Sequence, residues 1–204
     1  MSSLSKRLFA AAYDPMMRGA ERGFLGELRE GLLARAKGET LEVGAGTGLN
    51  LPRYRTPTHV VATEPEPAMA KRLHERVGAA HVPVDIEEAS AEALPFADGS
   101  FDTVVSTLVL CTVPHPDRML SEVRRVLRPG GHYLFIEHGG ADDERLAHWQ
   151  RRLNPVWKVF AGGCQLTRNV EVLTRAAGFT LEELEVHRPK RTGPIKPFRV
   201  GVAE

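Results

Sequence analysis

Cysteine, net charge and long apolar runs are all scarce in this sequence, and each shortage removes a class of protein. Only Cys111 and Cys164 occur in 204 residues. They stand far apart, with no C-x-x-C or His-rich pairing, so no disulfide framework and no metal-ligand spacing is legible, and a reducing, cytoplasmic setting is expected. Each thiol reads as a small buried hydrophobe. Lys and Arg number 27 against 26 Asp and Glu, a formal charge of +1, which leaves no basic footprint for a nucleic-acid backbone. The amino terminus offers only Leu8-Phe9-Ala10-Ala11-Ala12 between Lys6-Arg7 and Tyr13-Asp14-Pro15. That run is too short for a signal core or a transmembrane segment. Leu4, Leu8, Ala11 and Ala12 with Lys6 and Arg7 make a short amphipathic stretch, enough for weak peripheral membrane contact at most.

The chain is long enough for one substantial core and short for two, and its 42% hydrophobic and 26% charged residues are ordinary for a globular domain. Phe24, Leu25, Leu28, Leu32 and Leu33 fall at helical spacing, with Glu27, Arg29, Glu30 and Arg35 between them and Gly38 as a stop, so an amphipathic helix is expected there. Beyond it, β-rich runs at 40–43, 59–63, 84–89, 101–107 and 132–137 are separated by helical stretches that include 68–77 and 117–127. Such alternation predicts a parallel sheet. Helices over 143–160 and 167–177 and strands over 180–187 and 198–203 should close the chain, the last pair as an antiparallel hairpin around the loop 188–194.

The first strand runs into Gly44-Ala45-Gly46-Thr47-Gly48, where absent Cβ atoms let the backbone turn sharply and approach a ligand at the strand's carboxyl end. The second strand ends in Glu64, eighteen positions after Gly46, where a carboxylate can accept hydrogen bonds from both hydroxyls of a ribose. A dinucleotide fingerprint would need glycine or alanine where Leu49 stands. Alternatively, Glu42 could be a solvated strand end and Glu64 a cap for the helix beginning near Pro67.

Leu41-Glu42-Val43-Gly44-Ala45-Gly46-Thr47-Gly48 resembles motif I of the class I S-adenosylmethionine-dependent methyltransferases. The run from Ala93 to Asp102 is similar to their segment leading into strand four, and Leu127-Arg128-Pro129-Gly130-Gly131 to their turn before strand five. The resemblance implies a Rossmann-like α/β fold: a seven-stranded, mostly parallel sheet with helices on both faces and a carboxyl-terminal antiparallel hairpin. It implies one domain over 1–204, with a helical cap over 1–37, a cofactor-binding core over 38–137, and substrate-side helices and hairpin over 138–204. It also implies S-adenosyl-L-methionine as cofactor. Glu42, Gly44, Ala45, Gly46 and Gly48 should line its methionine and ribose, Glu64 and the following Pro65 the ribose, Ala91 and Glu92 the adenine edge, and Thr107 and Leu108 the methionine. Ser90 departs from the family, in which Asp is common at that place.

Methyl transfer from a sulfonium needs alignment, exclusion of water and a deprotonated acceptor. Candidate bases are Glu137 and His138, after strand five, and His115; His138 is best placed, although a loop histidine is as often a plain hydrogen-bonding residue. Trp149, Trp157 and Phe160 could line an acceptor pocket or simply pack, and Tyr13 could fold over the cofactor. Arg188, Lys190, Arg191 and Lys196 cluster at the last loop without an assigned role.

The segments 107–111, 137–138, 149–150, 155–158 and 163–168 together resemble the methyltransferase-like group that includes alkyl thiol S-methyltransferases. Membrane-associated members of that group carry a long apolar amino-terminal anchor; this chain opens without one, and a soluble form is expected. The implied activity is methylation of a small hydrophobic or thiol-bearing acceptor. Alternatives are N-methylation of a lipid-like phospholipid headgroup, C-methylation of a quinone precursor, or a cofactor-binding sensor without turnover.

Overall fold

The computed structural model describes residues 3–190 and 192–204. Seven strands form one sheet: β1 (Gly38–Val43), β2 (Pro57–Thr63), β3 (Val84–Glu87), β4 (Phe101–Thr107), β5 (Leu127–His138), β6 (Leu181–His187) and β7 (Phe198–Ala203). Their order is β3-β2-β1-β4-β5-β7-β6. The first five run parallel, whereas β7 is antiparallel to both β5 and β6. The sheet expected from the sequence is therefore present, and the terminal hairpin is folded so that its last strand lies inside the sheet.

Helices cover both faces, as parallel strands buried on two sides require. On one face, α4 (Pro116–Val126) and α6 (Val170–Ala176) pack on the sheet. Met119, Leu120, Val123 and Val126 recur at helical spacing and are buried against Val104, Tyr133 and Phe135. On the other face, Leu25, Leu32 and Leu33 of α2 (Phe24–Leu33) and Leu73 of α3 (Pro67–Arg76) meet Val60, Ala62, Val105, Leu134 and Ile136. Each such side chain contributes about 1.5–3 kcal/mol by leaving water.

Most boundaries shift by a few residues from the sequence expectation, and β5 begins at Leu127 rather than at 132; some of the shifts have local reasons. Gly38 opens β1 rather than stopping α2, which ends at Leu33. Asp143 lies outside α5 (Glu144–Phe160) as its cap, accepting from the Leu146 N–H at 2.9 Å. Asn169 caps α6 in the same way, accepting from Val172 N–H at 3.0 Å, which shortens that helix to Val170–Ala176. A larger difference lies at the amino terminus, where α1 (Ser3–Arg22) is a 20-residue helix that continues through Pro15. Proline removes one helical hydrogen bond there; the helix is held from outside, by polar contacts with the glycine loop described below.

Candidate active site

The glycine loop leaves β1 at Val43 and turns under the ends of β1 and β2, with Ala45 N–H donating to Thr63 O at 2.8 Å. Gly44 has φ +64°, and a Cβ there would strike the Val109 side chain at 2.9 Å. Gly46 has φ +60° with open space where a Cβ would be, so its backbone is free to be approached by a ligand. Glu64, 8% exposed, reaches back across β2. One carboxylate oxygen accepts from Gly46 N–H at 2.9 Å and the other from Glu66 N–H at 2.9 Å. Burial raises its pKa, partly offset by those two donors. Two of its roughly four acceptor directions remain for other donors. Pro65 follows on the surface.

Glu42 is not a solvated strand end: it is 1% exposed. Asn50 Nδ2 donates to its Oε1 at 2.9 Å, and its Oε2 is buried without a hydrogen-bond partner. Burial pushes its pKa up to about 7 against the opposing influence of Tyr54, Arg29 and Asn50. Asn50 also donates to Thr107 Oγ1 at 3.1 Å, while Arg29 Nη1 donates to Asn50 Oδ1 at 2.6 Å and to Thr107 Oγ1 at 2.7 Å. Arg29 Nε is paired with Glu21 of α1 at 2.9 Å. A buried polar network thus ties α1, α2, β1 and β4 together behind the glycine loop. The sequence reading set Arg29 on the polar side of its helix; it is 3% exposed. Its spacing of four after Leu25 and three before Leu32 was the available signal.

A second clamp comes from α1. Asp14 accepts from Thr47 Oγ1 at 2.6 Å and from Arg76 Nη2 at 2.5 Å, while Arg76 Nη1 donates to Thr47 O at 2.6 Å. Burial alone would raise the Asp14 pKa, but the hydrogen bonds from Thr47 and Arg76 outweigh it and hold the carboxyl below its ordinary range. The preceding Tyr13 is half-buried, and burial raises its phenol to about 12, so it stays protonated.

Beyond β4 the chain makes a strained turn. Leu108 has φ +61°, the only positive φ outside glycine among the described residues. Glu137 Oε1 braces it, accepting from Val109 N–H at 2.8 Å and Leu110 N–H at 2.9 Å. Glu137 is fully buried and its pKa is pushed up to about 7, with those donors opposing the effect. This carboxyl organises the loop that presents Thr107 and Leu108. Ala91 is buried; Glu92, rather than pointing to solvent, accepts from His115 N–H at 2.8 Å, and Ser90 Oγ accepts from Glu92 N–H at 3.2 Å.

His138, 4% exposed, sits at the end of β5 with Nε2 at 2.9 Å from Cys164 Sγ. Trp157 Nε1 donates to the same sulfur at 3.1 Å. Cys111 is drawn in as well, so ligand-type atoms of Cys111, His138 and Cys164 all lie within 4.8 Å of one another. Contact with Cys111, His138 and Trp157 holds Cys164 below the ordinary thiol range, whereas contact with Cys164 and burial push Cys111 up. Both cysteines are buried, as the sequence led one to expect; their separation along the chain concealed a convergence made by β4, β5 and the turn after α5.

Gln150 is the buried residue of α5. It accepts from Ala141 N–H at 2.8 Å and donates to the carbonyls of Gly139, Pro194 and Lys196 at 2.9–3.2 Å. The rest of the helix shows apolar side chains to solvent: Trp149, Val156, Val159 and Phe160 are 56–78% exposed. Arg188 pairs with Asp142 at 2.8 Å, and Lys196 joins Trp149 beside a shallow groove of about 420 Å³ that is remote from the glycine loop. Arg191 lies outside the described residues.

A methyltransferase-domain family model matches residues 41–135. The chain is 34% identical to human thiol S-methyltransferase TMT1A over 96% of its length and 82% of the relative's. It is 34% identical to human thiol S-methyltransferase TMT1B over 91% and 76%. A solved structure of an S-adenosylmethionine-dependent methyltransferase from Thermotoga maritima, described as a possible histamine N-methyltransferase, shares the fold at a TM-score of 0.69 and 23% identity, over 99% of each chain. The chain belongs to the class I S-adenosylmethionine-dependent methyltransferases, in the family of the thiol S-methyltransferases TMT1A and TMT1B.

Proposed function

We propose that this enzyme transfers the methyl group of S-adenosylmethionine to the sulfur of a small, hydrophobic thiol. The observation that carries the reading is the similarity to thiol S-methyltransferases over 96% of the chain, which takes in the acceptor side as well as the cofactor core. The chemistry agrees. Glu137 and His138 are both buried and engaged, and neither is a freely exposed base. A thiol, with a reference pKa of about 8.5, ionises near neutrality with little help, whereas an alcohol does not. N-methylation of a lipid headgroup and C-methylation of a quinone precursor gain no comparable support.

In this reading one domain spans 1–204. Glu64 and Pro65 meet the ribose, and Glu42 with Gly44, Ala45, Gly46 and Gly48 shapes the floor under the ribose and methionine. Ala91 and Glu92 border the adenine, and Thr107 and Leu108 flank the methionine. His138 belongs to the acceptor side. No helix among the described residues is long and apolar enough to cross a membrane; we place the enzyme in the cytoplasm, with weak peripheral contact to membranes through α1 and α5. Phe9 of α1 lies against Gly162, just after α5, so α1 and the end of α5 border one another, and Leu4 and Leu8 on the one and Phe160 on the other are exposed. That apolar border suits a hydrophobic acceptor.

The test is product analysis with S-adenosylmethionine and alkyl thiols, phosphatidylethanolamine or quinols. S-methyl thioether as the main product is expected. N- or C-methyl product alone overturns the assignment of the acceptor, and tight cofactor binding without turnover of any acceptor favours a sensor.

A further inference from the structure

Cys111 lies in the loop after β4, His138 ends β5, and Cys164 follows α5. They are 2%, 4% and 8% exposed, and their ligand-type atoms lie within 4.8 Å of one another. These are the only two cysteines of the chain, and the fold places both at a single histidine. The backbone fixes the arrangement from two sides: Gln165 N–H donates to Cys111 O at 2.8 Å, and the Arg168 guanidinium is anchored on Leu110 O. Trp157 Nε1–H, which can only donate, is directed at Cys164 Sγ, so that sulfur is prepared to carry negative charge. Nδ1 of His138 is buried without a hydrogen-bond partner.

Two soft sulfurs and one imidazole are the donor set of a thiophilic d10 cation. A tetrahedral zinc ion with bonds of about 2.3 Å to sulfur and about 2.0 Å to nitrogen keeps its ligand atoms roughly 3.5–3.8 Å apart. His138 Nε2 and Cys164 Sγ, at 2.9 Å, would part by about 0.6 Å to meet this spacing, and no pair of ligand atoms is more than 4.8 Å apart, so side-chain adjustment brings all three to one ion. Three protein ligands leave a fourth position open, the pattern of catalytic rather than structural zinc.

We propose that Cys111, His138 and Cys164 bind one zinc ion, and that its open position receives the acceptor sulfur. The second half rests on the thiol reading above. An acceptor thiol coordinates as thiolate, giving its proton to bulk water. Its sulfur then forms the new S–CH3 bond as the S–CH3 bond of the sulfonium breaks, releasing the methylated thioether and S-adenosylhomocysteine. The ion keeps its oxidation state throughout. Its role is to hold the acceptor as an anion at neutral pH beside the loop carrying Thr107 and Leu108.

Cobalt(II) added to the metal-free, reduced protein reports directly, because thiolate-to-cobalt charge transfer is visible without turnover. One equivalent per chain should give that band together with a tetrahedral d–d spectrum, and zinc should displace it. Cys111→Ser, Cys164→Ser and His138→Ala should each weaken binding at least 10-fold while circular dichroism and S-adenosylmethionine binding show the fold retained. If a serine variant unfolds, the wild-type protein decides: zinc should protect both thiols from Ellman's reagent. Equal thiol reactivity with and without zinc, or no charge-transfer band, overturns the site, as does a Cys111–Cys164 disulfide as the only change on metal addition in air. An alkyl thiol should shift the cobalt spectrum; an unshifted spectrum, or full thiol turnover by metal-free enzyme, overturns the acceptor role and leaves thiol methylation standing. Zinc bound without any thiol turnover overturns the thiol reading and leaves the site standing.

Discussion

The carboxylate of Asp14 and the guanidinium of Arg76 meet at 2.5 Å across 62 residues, with Thr47 of the glycine loop held between them. An amino-terminal helix is thereby fastened to the glycine loop, which we propose shapes the cofactor site. Both side chains are about three-quarters buried, 22% and 25% exposed, so the pair contributes about 1 kcal/mol at most. Asp14→Ala should weaken S-adenosylmethionine binding roughly 5-fold, the equivalent of that energy, and calorimetric titration reads it. Because the folded pKa is lowered, the contribution is present above the unfolded value of 3.8 and disappears as pH falls through the folded one. Wild-type affinity in the variant would show that the cofactor ignores this clamp.

Glu42 carries a dependence of the opposite sign. It holds its proton to about pH 7 in the fold and releases it near 4.5 when unfolded. The native state therefore binds more protons in that window, and stability falls as pH rises from 4.5 to about 7, by roughly 3 kcal/mol from this group. Glu42→Gln keeps an acceptor for Asn50 and removes the titration. Urea denaturation at pH 5 and pH 8 should show a flatter profile in the variant and greater stability at pH 8; equal profiles would mean that Glu42 ionises as it does in water.

Glu64 has two roles that substitution can separate. Glu64→Ala strips acceptors from the N–H groups of Gly46 and Glu66, so it should cost about 1–3 kcal/mol of stability as well as cofactor affinity. Glu64→Gln retains one carbonyl oxygen and should lose affinity with a smaller change in melting temperature. Full affinity in both variants would remove the ribose contact from this residue.

At the turn after β4, Glu137→Ala would leave the N–H groups of Val109 and Leu110 without their acceptor while Leu108 remains at φ +61°. A loss of about 3 kcal/mol is expected. Glu137→Gln can still accept from both groups and should retain most of the methyl-transfer rate. A rate that collapses in the Gln variant with the fold intact would restore Glu137 as a base.

On the outer surface, Phe160→Ser and Leu8→Ser together should abolish any co-flotation with anionic lipid vesicles, without changing cofactor affinity. Undiminished flotation of the double variant would place membrane contact elsewhere.

How far the chain could be read before folding varied with the range of the interactions. The sheet was legible because parallel strands buried on both faces write themselves as short apolar runs, and the bounds 101–107 and 198–203 needed no correction. Gly44, Gly46 and Glu64 were legible because they stand at the carboxyl ends of two strands that are consecutive in the chain and paired in the sheet, β1 and β2. The helix Ser3–Arg22 was not, since Pro15 argues against it locally and the contacts of Asp14 that hold it come from residues 47 and 76. Arg29 was hidden by the ordinary expectation that charge faces water, and its partners Asn50 and Thr107 stand 21 and 78 residues away. The joining of Cys111 to Cys164 depends on three elements folding at once, which no spacing rule records.

The placement of β7 also bears on how the molecule is made. Residues 198–203 fill the space between β5 and β6, so during synthesis the edge of β5 waits with its backbone groups unpaired until those residues have emerged, about sixty positions after β5 ends. An edge of that kind is an invitation to pair with another nascent chain. Crowded translation therefore exposes this protein to aggregation through β5, and shortening the chain before residue 198 should lower the fraction of product that stays in solution.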